Sequence, residues 1–238
     1  MNIAIIGYGK MGKEIETLAI QRGHKIRLII DKHNLLELND NNLKEIDVAI
    51  EFTTPETAYD NYLKCFAANV PVVSGSTGWL DRFNELKKYC INNKKTFFYA
   101  SNFSLGVNIL FEINKQLARI MNQFDNYNIE IEEIHHTEKL DAPSGTAINL
   151  ANDIINNIDR KEKWTKEKET IESDLAIKSL RKFKIPGIHT IKYESDVDTL
   201  LINHSAKSRK GFVLGAVLSA EYVNGKNRFF GMNDLLNF

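Results

Sequence analysis

The chain has 238 residues, 43% of them hydrophobic, which suffices for one large domain or two small ones with apolar cores. Lysine plus arginine and aspartate plus glutamate number 31 each, so the net charge is zero and nothing global indicates binding to nucleic acid or an anionic membrane. Cys65 and Cys90 lack metal-ligand spacing, and no apolar run resembles a membrane span or a signal peptide, so we expect a cytoplasmic protein with reduced thiols and no metal site.

The amino terminus is predicted to follow the order strand, glycine turn, helix. An apolar run at residues 2–6 leads into Gly7-Tyr8-Gly9-Lys10-Met11-Gly12, and apolar residues at helical spacing follow. In the pattern Gly-x-Gly-x-x-Gly the first glycine allows a tight turn, the second lets a pyrophosphate approach the backbone, and the third lets helix and strand pack closely. A second apolar run, residues 26–30, ends at Asp31, which can accept the hydroxyls of an adenine ribose. The motif is weak alone, but its flanks agree with a dinucleotide site.

The alternation of strands and helices continues to residue 100. Apolar runs at 48–52, 70–74 and 96–100 predict three further strands, with helices at about 55–68 and 80–90 between them. Five such strands predict a parallel sheet with helices on both faces, and ligands then bind beyond the carboxyl ends of the strands. Small polar residues follow those ends, in Phe52-Thr53-Thr54-Pro55, Ser74-Gly75-Ser76-Thr77-Gly78 and Ala100-Ser101-Asn102-Phe103-Ser104. Serine and threonine in such turns are about as often helix caps as ligand contacts.

After Asn102 the pattern changes, and we predict a second, α+β domain over residues 103–210. Its expected elements are a helix at about 105–121, a strand at 127–134, and an antiparallel hairpin of strands at 188–194 and 199–205. Residues 160–170 are nearly all charged, with alternating signs, and are predicted to be a solvated connection. A helix from about 210 to 222 and the tail, within 211–238, are expected to pack back on the first domain, residues 1–102.

The segment from Glu133 to Ala147 concentrates groups that bind anions and donate protons. It holds two imidazoles, His135 and His136, and the ammonium of Lys139. An apolar series at helical spacing follows, so Ser144 is predicted to cap a helix whose first backbone N–H groups, at Gly145 and Thr146, can bind carboxylate or phosphate. Each feature taken singly is more often structural than functional, but no shared structural reason brings them together. The segment suits a small anionic substrate with several charges.

These residues resemble the 4-hydroxy-tetrahydrodipicolinate reductase family of bacterial lysine and diaminopimelate synthesis, and the resemblance runs from end to end. Its most specific element is Glu-x-x-His-His-x-x-Lys-x-Asp-Ala-Pro-Ser-Gly-Thr-Ala, which begins here at Glu132. The resemblance implies an α/β fold, with a Rossmann-like parallel sheet and a second α+β domain that carries the substrate segment. It also implies reduction of a cyclic, imine-bearing dicarboxylate with NADPH or NADH, commonly by a homotetramer built through the second domain's sheet.

The resemblance further implies the roles of individual residues. His135 and Lys139 match the family's proton-transfer residues, and Ser144, His136, Gly145 and Thr146 fall on its substrate-binding stretch. The coenzyme-binding stretches fall on Gly7, Tyr8, Gly9, Lys10, Met11, Gly12, Asp31, Lys32, Phe52, Gly75, Ser76, Thr77, Ala100, Ser101, Asn102 and Phe103. An imidazole or an ammonium is a suitable acid for the electron-rich enamine that hydride transfer to a ring carbon leaves.

The chain departs from the family pattern in three places. Its glycine turn is one residue shorter than Gly-x-x-Gly-Arg-Met-Gly, with Lys10 in place of the usual arginine. Asp31-Lys32 stands where many members have Glu-Arg, and the late glycine-rich hairpin is reduced to residues 191–194. Asp31 repels a 2′-phosphate whereas Lys10 and Lys32 neutralise it, so we expect both coenzymes to be used.

Two other classes of function remain open at this stage. Another two-domain Rossmann oxidoreductase, such as an amino-acid or sugar dehydrogenase, would have the same plan but lack the His-His-x-x-Lys segment. A non-catalytic nucleotide sensor would have lost His135 or Lys139, and both are present.

Overall fold

The computed structural model describes residues 1–167 and 171–238, and the chain divides into two compact units. Unit 1 comprises Met1–Ser104 and Lys210–Phe238, and unit 2 comprises Leu105–Arg209. Among the described residues, no helix is both long enough and apolar enough to cross a membrane.

The elements are numbered here in chain order. The strands are β1 (Asn2–Ile6), β2 (Lys25–Ile30), β3 (Val48–Glu51), β4 (Val72–Ser74), β5 (Phe97–Tyr99), β6 (Asn128–His135), β7 (Lys163–Thr165), β8 (Asp174–Arg181), β9 (Ile188–Glu194), β10 (Thr199–Ser205) and β11 (Phe229–Phe230). The helices are α1 (Lys10–Gln21), α2 (Asp40–Leu43), α3 (Pro55–Ala67), α4 (Phe83–Asn92), α5 (Leu105–Met121), α6 (Gly145–Ile155), α7 (Lys210–Val223) and α8 (Met232–Leu236), and short 3₁₀ turns lie at Leu35–Glu37 and Leu80–Arg82.

Unit 1 is built on a six-stranded parallel sheet in the order β11-β5-β4-β3-β1-β2. All four residues of β3 and the last four of β1 are buried, as expected for strands covered by helices on both faces. The predicted Rossmann-like parallel sheet is therefore confirmed. Its sixth strand, β11, was not predicted, because two residues are too few to produce a periodic signal.

Side chains from all strands β1 to β5 and from helices α2, α3 and α4 contribute to a hydrophobic core of unit 1. Its largest members are aromatic, and several pack edge to face, as Phe66 does against Phe97 and Tyr62 against Trp79. Cys65 and Cys90 are buried free thiols in this core, and burial raises the pKa of each to about 12. Both cysteines therefore contribute packing and little nucleophilic reactivity.

Helix α7, near the carboxyl terminus, belongs to unit 1. It contacts α1 and the strands β3, β4 and β5, and its small buried residues allow a close approach. The carbonyl oxygen of Phe103 lies where a Cβ on Gly215 would be, 1.8 Å away, so only glycine fits this position of the helix.

Unit 2 contains a mixed sheet in the order β10-β9-β6-β8-β7. Strand β9 is antiparallel to β6 and β10, whereas β8 is parallel to β6 and β7. Helices α5 and α6 cover the sheet face that carries Ile129, Ile131 and Ile191. The predicted helix at 105–121, the strand before the histidines and the late hairpin are all present.

The prediction of a solvated connection at residues 160–170 was wrong in part. Lys163–Thr165 form β7, with Trp164 packed on the core of unit 2 and paired to Leu175 of β8, a strand that was not predicted. Lys161 is buried, and its ammonium donates to the carbonyls of Glu172 and Asp174, at 2.6 and 2.8 Å. Burial lowers the pKa of Lys161. Residues 168–170 of the same prediction lie outside the described residues.

Candidate active site

The glycine turn between β1 and α1 has the geometry of a dinucleotide-binding turn. Gly7 has a φ of +97°, and a Cβ there would lie 2.0 Å from the carbonyl oxygen of Phe52. A Cβ on Gly12 would lie 2.3 Å from the carbonyl oxygen of Gly7, so the shorter turn still needs glycine at both ends. At Gly9 a Cβ would meet no atom within 4 Å, and no side chain caps the start of α1. The backbone at Gly9 is therefore open to a ligand, and the first N–H groups of α1 suit an anion.

Two cavities in unit 1 bring most of the predicted coenzyme residues together. The first, of about 470 Å³, is lined by Ile6, Gly7, Tyr8, Gly9, Ile30, Asp31, Lys32, His33, Leu35, Thr53, Thr54, Thr57 and Asn61. The second, also of about 470 Å³, is lined by Gly9, Lys10, Met11, Gly12, Phe52, Thr53, Pro55, Gly75, Ser76 and Thr77. They share Gly9 and Thr53, and together they follow the carboxyl ends of β2, β1, β3 and β4.

The predicted stretch after β5 lies elsewhere in unit 1. Ala100, Ser101, Asn102 and Phe103 line neither cavity. The ring of Phe103 is buried, 5.6 Å from the ring of Phe52, and Asn102 accepts a hydrogen bond from the backbone N–H of Ser104 at 2.9 Å. Within this stretch, Phe103 therefore packs against Phe52, which lines the second cavity.

Asp31 and Lys32, which have opposite charges, both line the first cavity. One carboxylate oxygen of Asp31 accepts the backbone N–H of His33 at 2.7 Å, which holds the side chain in its turn, and Lys32 is exposed beside it. The shape of the glycine turn, the open helix start and this acidic residue together fit a dinucleotide, with the adenine ribose at Asp31.

In unit 2, the predicted proton-transfer residue His135 is the last residue of β6. Its ring is largely buried, and Nδ1 lies 3.2 Å from Oε2 of the completely buried Glu133. The Glu133 carboxylate also accepts the backbone N–H of Ser144, at 3.0 and 3.1 Å to its two oxygens, and Nη2 of Arg181 at 3.2 Å. One buried anion thus joins the histidine, the start of α6 and a cation from β8.

Glu133 was missed in the sequence, where the family signature was matched to Glu132. Alternate residues of a strand face opposite sides, so Glu133 and His135 continue the buried row of Ile129 and Ile131. Glu132 points to the other side and pairs with Lys178 at 2.8 Å. The alternation of β6 was the signal that could have identified Glu133.

His189 of β9 is a second residue that the sequence did not reveal. Its Nε2 lies 3.2 Å from the hydroxyl of Ser144, and its ring packs edge to face on His135 with 5.1 Å between centroids. Burial, followed by the proximity of His135, lowers the pKa of His189 to about 4, so this ring is neutral at neutral pH. Burial alone would raise the pKa of Glu133, but its polar contacts with His135, Ser144 and Ser179 outweigh burial and hold that pKa well below the usual range.

The groups around Glu133 could also be considered as a metal site, since ligand atoms of Glu133, His135 and His189 lie within 4.8 Å of one another. However, the guanidinium of Arg181 and the N–H of Ser144 already occupy the carboxylate. A cation placed there would face a permanent positive charge, so the arrangement favours a neutralised anion over a metal centre.

Ser144 caps α6 as predicted, because its hydroxyl accepts the backbone N–H of Ala147 at 3.2 Å. The N–H groups of Gly145 and Thr146 belong to the first turn, whose backbone donors have no partner within the helix. Lys139 lies on the loop before this turn, with Nζ 2.7 and 2.8 Å from the two carboxylate oxygens of Asp141. This ion pair lowers the pKa of Asp141.

His136 follows His135 directly and is half-buried. Its Nδ1 is buried and has no hydrogen-bond partner among the described residues. The segment that carries His135, His136, Lys139 and the capped start of α6 is thus held in place by contacts with Glu133 and Arg181.

Comparison with known proteins identifies the family. Residues 1–103 match the family described as dihydrodipicolinate reductase, N-terminus, and residues 106–236 match dihydrodipicolinate reductase, C-terminus. A 4-hydroxy-tetrahydrodipicolinate reductase of Christiangramia forsetii is 47% identical over 100% of this chain and 98% of its own length. One of Thermosipho africanus is 32% identical over 99% of this chain and 98% of its own length.

A solved structure has the same fold. The dipicolinate-bound dihydrodipicolinate reductase from Paenisporosarcina sp. TG-14 superimposes with a TM-score of 0.78 and covers 97% of both chains, at 24% sequence identity. The two family matches and the relatives extend over nearly the whole sequence, and the chain belongs to the dihydrodipicolinate reductase family.

Proposed function

We propose that this protein reduces 4-hydroxy-tetrahydrodipicolinate to tetrahydrodipicolinate with NADH or NADPH, in the diaminopimelate pathway of lysine biosynthesis. Family membership makes it an NAD(P)H-dependent oxidoreductase with a nucleotide-binding amino-terminal domain. The observation that most directly supports the reaction is His135, held by a buried carboxylate 3.2 Å away beside a helix start that suits a substrate carboxylate.

The two parts of the chain have separate tasks in this proposal. Residues 1–102, with 211–238, bind the coenzyme along the carboxyl ends of the parallel strands, and residues 103–210 bind the dicarboxylate and carry the oligomer contacts. When bound, the reduced nicotinamide supplies the hydride that the substrate accepts at a ring carbon.

The start of α6 binds a substrate carboxylate. The N–H groups of Gly145 and Thr146 and the hydroxyl of Thr146 donate to it, and Ser144 holds the turn in place by its cap. His136, next to His135 on the same segment and only half-buried, contacts the same substrate in this proposal.

Proton transfer falls to His135 and Lys139. Because Nδ1 of His135 faces Glu133, its Nε2 is the nitrogen available to exchange a proton with the reduced substrate. The ammonium of Lys139, held on the same segment by Asp141, serves as a second donor.

Thr146→Val tests the carboxylate site. The substitution removes one hydroxyl donor and keeps the shape of the side chain. We therefore expect a fall in kcat/KM equivalent to roughly 1.5–3 kcal/mol of lost transition-state stabilisation, the scale of a hydrogen bond to a charged group. Steady-state kinetics measure this loss, and Thr137→Val, an exposed threonine on the preceding loop, is the control. Unchanged kcat/KM in a folded Thr146→Val protein would mean that the Thr146 hydroxyl does not bind the substrate and that the residue only forms part of the turn.

Coenzyme choice provides a separate prediction. Asp31 favours the free ribose of NADH, while Lys32 and Lys10 favour the 2′-phosphate of NADPH, so we expect kcat/KM for the two coenzymes to agree within about tenfold. Lys32→Ala should lower kcat/KM for NADPH by about fivefold, the scale of an exposed ion pair, and leave kcat/KM for NADH unchanged.

The control for this variant is Lys25→Ala, at the opposite end of β2. A coenzyme preference above about a hundredfold in the wild type, or equal losses for NADH and NADPH in Lys32→Ala, would contradict the balance of charges.

The protein is further proposed to be a cytoplasmic homotetramer. Exposed apolar side chains on β10 and α5, among them Leu201, Ile113 and Ile120, support a contact surface on unit 2. Light scattering should then give four times the 27.2 kDa of one chain.

The reaction itself is tested by NAD(P)H oxidation followed by absorbance, with dihydrodipicolinate synthase supplying the unstable substrate in situ. Turnover that depends on the synthase supports the proposal. Coenzyme binding without turnover would instead favour a nucleotide sensor, and oxidation of amino acids or sugars with NAD(P)⁺ would favour another dehydrogenase.

A further inference from the structure

Glu51, the last residue of β3, is a buried acid that the mechanism above does not use. Its side chain has no solvent exposure. It directly precedes Phe52 and Thr53, which line the second cavity of unit 1, and it lies beside Ser74 of β4, its partner in the sheet.

The Glu51 carboxylate receives hydrogen bonds from two loops. Oε1 accepts the backbone N–H and the hydroxyl of Thr53, the N–H at 3.1 Å, and the hydroxyl of Ser76 at 3.1 Å. Oε2 accepts the hydroxyl of Ser74 at 2.7 Å, and that hydroxyl is also 2.7 Å from the hydroxyl of Tyr62. All four groups that reach the carboxylate can donate, so they are together compatible with its ionised form.

No cation forms an ion pair with Glu51 within the described parts of the chain, in contrast to Glu133, which Arg181 neutralises. Burial raises the pKa of Glu51 above its ordinary value, and its hydrogen bonds from Thr53, Ser74 and Ser76 offset this only in part. A buried carboxylate without a counter-ion is costly, and neutral side chains could link the same two loops. An acid at this position therefore needs a reason beyond packing.

The strand order indicates which part of a dinucleotide lies above this charge. Adjacent strands β2, β1, β3 and β4 end at Asp31, the glycine turn, Thr53 and Ser76. With the adenine ribose at Asp31 and the pyrophosphate at the start of α1, the remaining nicotinamide riboside extends over the ends of β3 and β4. Those are the two ends that Glu51 joins.

We infer that Glu51 is a positioning residue that holds Thr53 and Ser76 in the floor of the coenzyme cavity, and that its buried charge favours the oxidised coenzyme over the reduced one. The oxidised nicotinamide ring carries a positive charge and the reduced ring is neutral, so a nearby anion in a medium of low dielectric constant stabilises only the oxidised form. The same charge favours hydride departure. This inference rests on the proposed assignment of the cavity to the coenzyme.

The test compares the binding of both coenzyme forms to Glu51→Gln, which removes the charge and keeps the shape. Dissociation constants for the oxidised and the reduced form of whichever coenzyme binds wild type more tightly are measured by calorimetry at pH 8, without substrate. We expect the oxidised form to lose about tenfold more affinity than the reduced form. Ser76→Ala, which removes a hydrogen bond and keeps the carboxylate, should weaken both forms by similar factors.

Glu51→Asp retains the charge and should restore the wild-type ratio of the two constants. Should Glu51→Gln fail to fold, Glu51→Ser removes the charge with a smaller side chain and is measured in its place. Equal losses for the two forms in the charge-free variant would overturn the inference and leave Glu51 a purely structural residue. Absence of coenzyme binding to wild type would instead refute the proposed function.

Discussion

Replacing His135 or Lys139 with alanine is expected to lower kcat by about 10²-fold or more, because each change removes a positioned proton donor. In the proposed mechanism His135 exchanges its proton at Nε2, since Nδ1 lies 3.2 Å from Glu133, and Lys139 is held by Asp141 at 2.7 Å. Neither residue lines the coenzyme cavities, so the dissociation constants for NADH and NADPH should stay within about twofold of wild type. Rapid-mixing and steady-state kinetics with saturating substrate measure the change.

A matched control for Lys139 is available in the same unit. Lys163 also faces an aspartate, Asp174 at 3.7 Å, but it lies on the edge strand β7 and is largely exposed. Lys163→Ala should therefore turn over at the wild-type rate. Near-wild-type kcat in both His135→Ala and Lys139→Ala would refute the assignment of proton transfer to this segment.

The centre of the parallel sheet could be predicted because its strands are buried on both faces. Such strands contain continuous apolar runs, as at residues 3–6 and 48–50, and the glycines and polar residues between runs mark the turns. The two-residue strand β11 exists only through its pairing with Phe97 and Phe98, which no local pattern in Phe229–Phe230 reveals.

The sheet of unit 2 was predicted less completely. In β8 two core-facing residues, Leu175 and Ile177, are followed by residues that are not fully buried, so the alternation is weak and follows a charged stretch. In β7 a single apolar residue, Trp164, packs on the core. Strand β8 depends on pairing with β6, which lies far earlier in the chain, and β7 depends in turn on β8. Such long-range pairing is not encoded in any short window.

The candidate site was recognised from one segment, and its missing members come from elsewhere. His135, Lys139 and the Ser144 cap are close in sequence, so a motif could identify them. Arg181 reaches Glu133 across 48 residues of chain, and His189 reaches Ser144 across 45. Their positions follow from the order of β8, β6 and β9 in the sheet, which the sequence pattern does not specify.

Glu133→Gln is expected to impair both stability and catalysis. The carboxylate is fully buried and neutralises Arg181, so removing its charge leaves a cation with an incomplete partner and should lower the free energy of unfolding by about 3 kcal/mol. An amide can turn its NH₂ group toward Nδ1 of His135 and favour the wrong tautomer, so kcat should fall by about 10²-fold. Chemical denaturation and steady-state kinetics measure the two effects.

The contribution of Glu133 to the free energy of unfolding should decrease at acidic pH. The pKa of Glu133 is depressed in the folded protein, so its contribution to stability is present above the unfolded-state value of about 4.3 and is lost as the pH falls toward the folded value. The difference in stability between wild type and Glu133→Gln should therefore shrink below about pH 4.

Glu132→Gln is the matched control, because it removes the adjacent carboxylate from the opposite side of the same strand. That carboxylate pairs with the largely exposed Lys178, so its loss should change stability by about 0.5 kcal/mol at most and leave kcat unchanged. Equal effects of the two substitutions would mean that the buried contact between Glu133 and His135 has no part in orienting the imidazole.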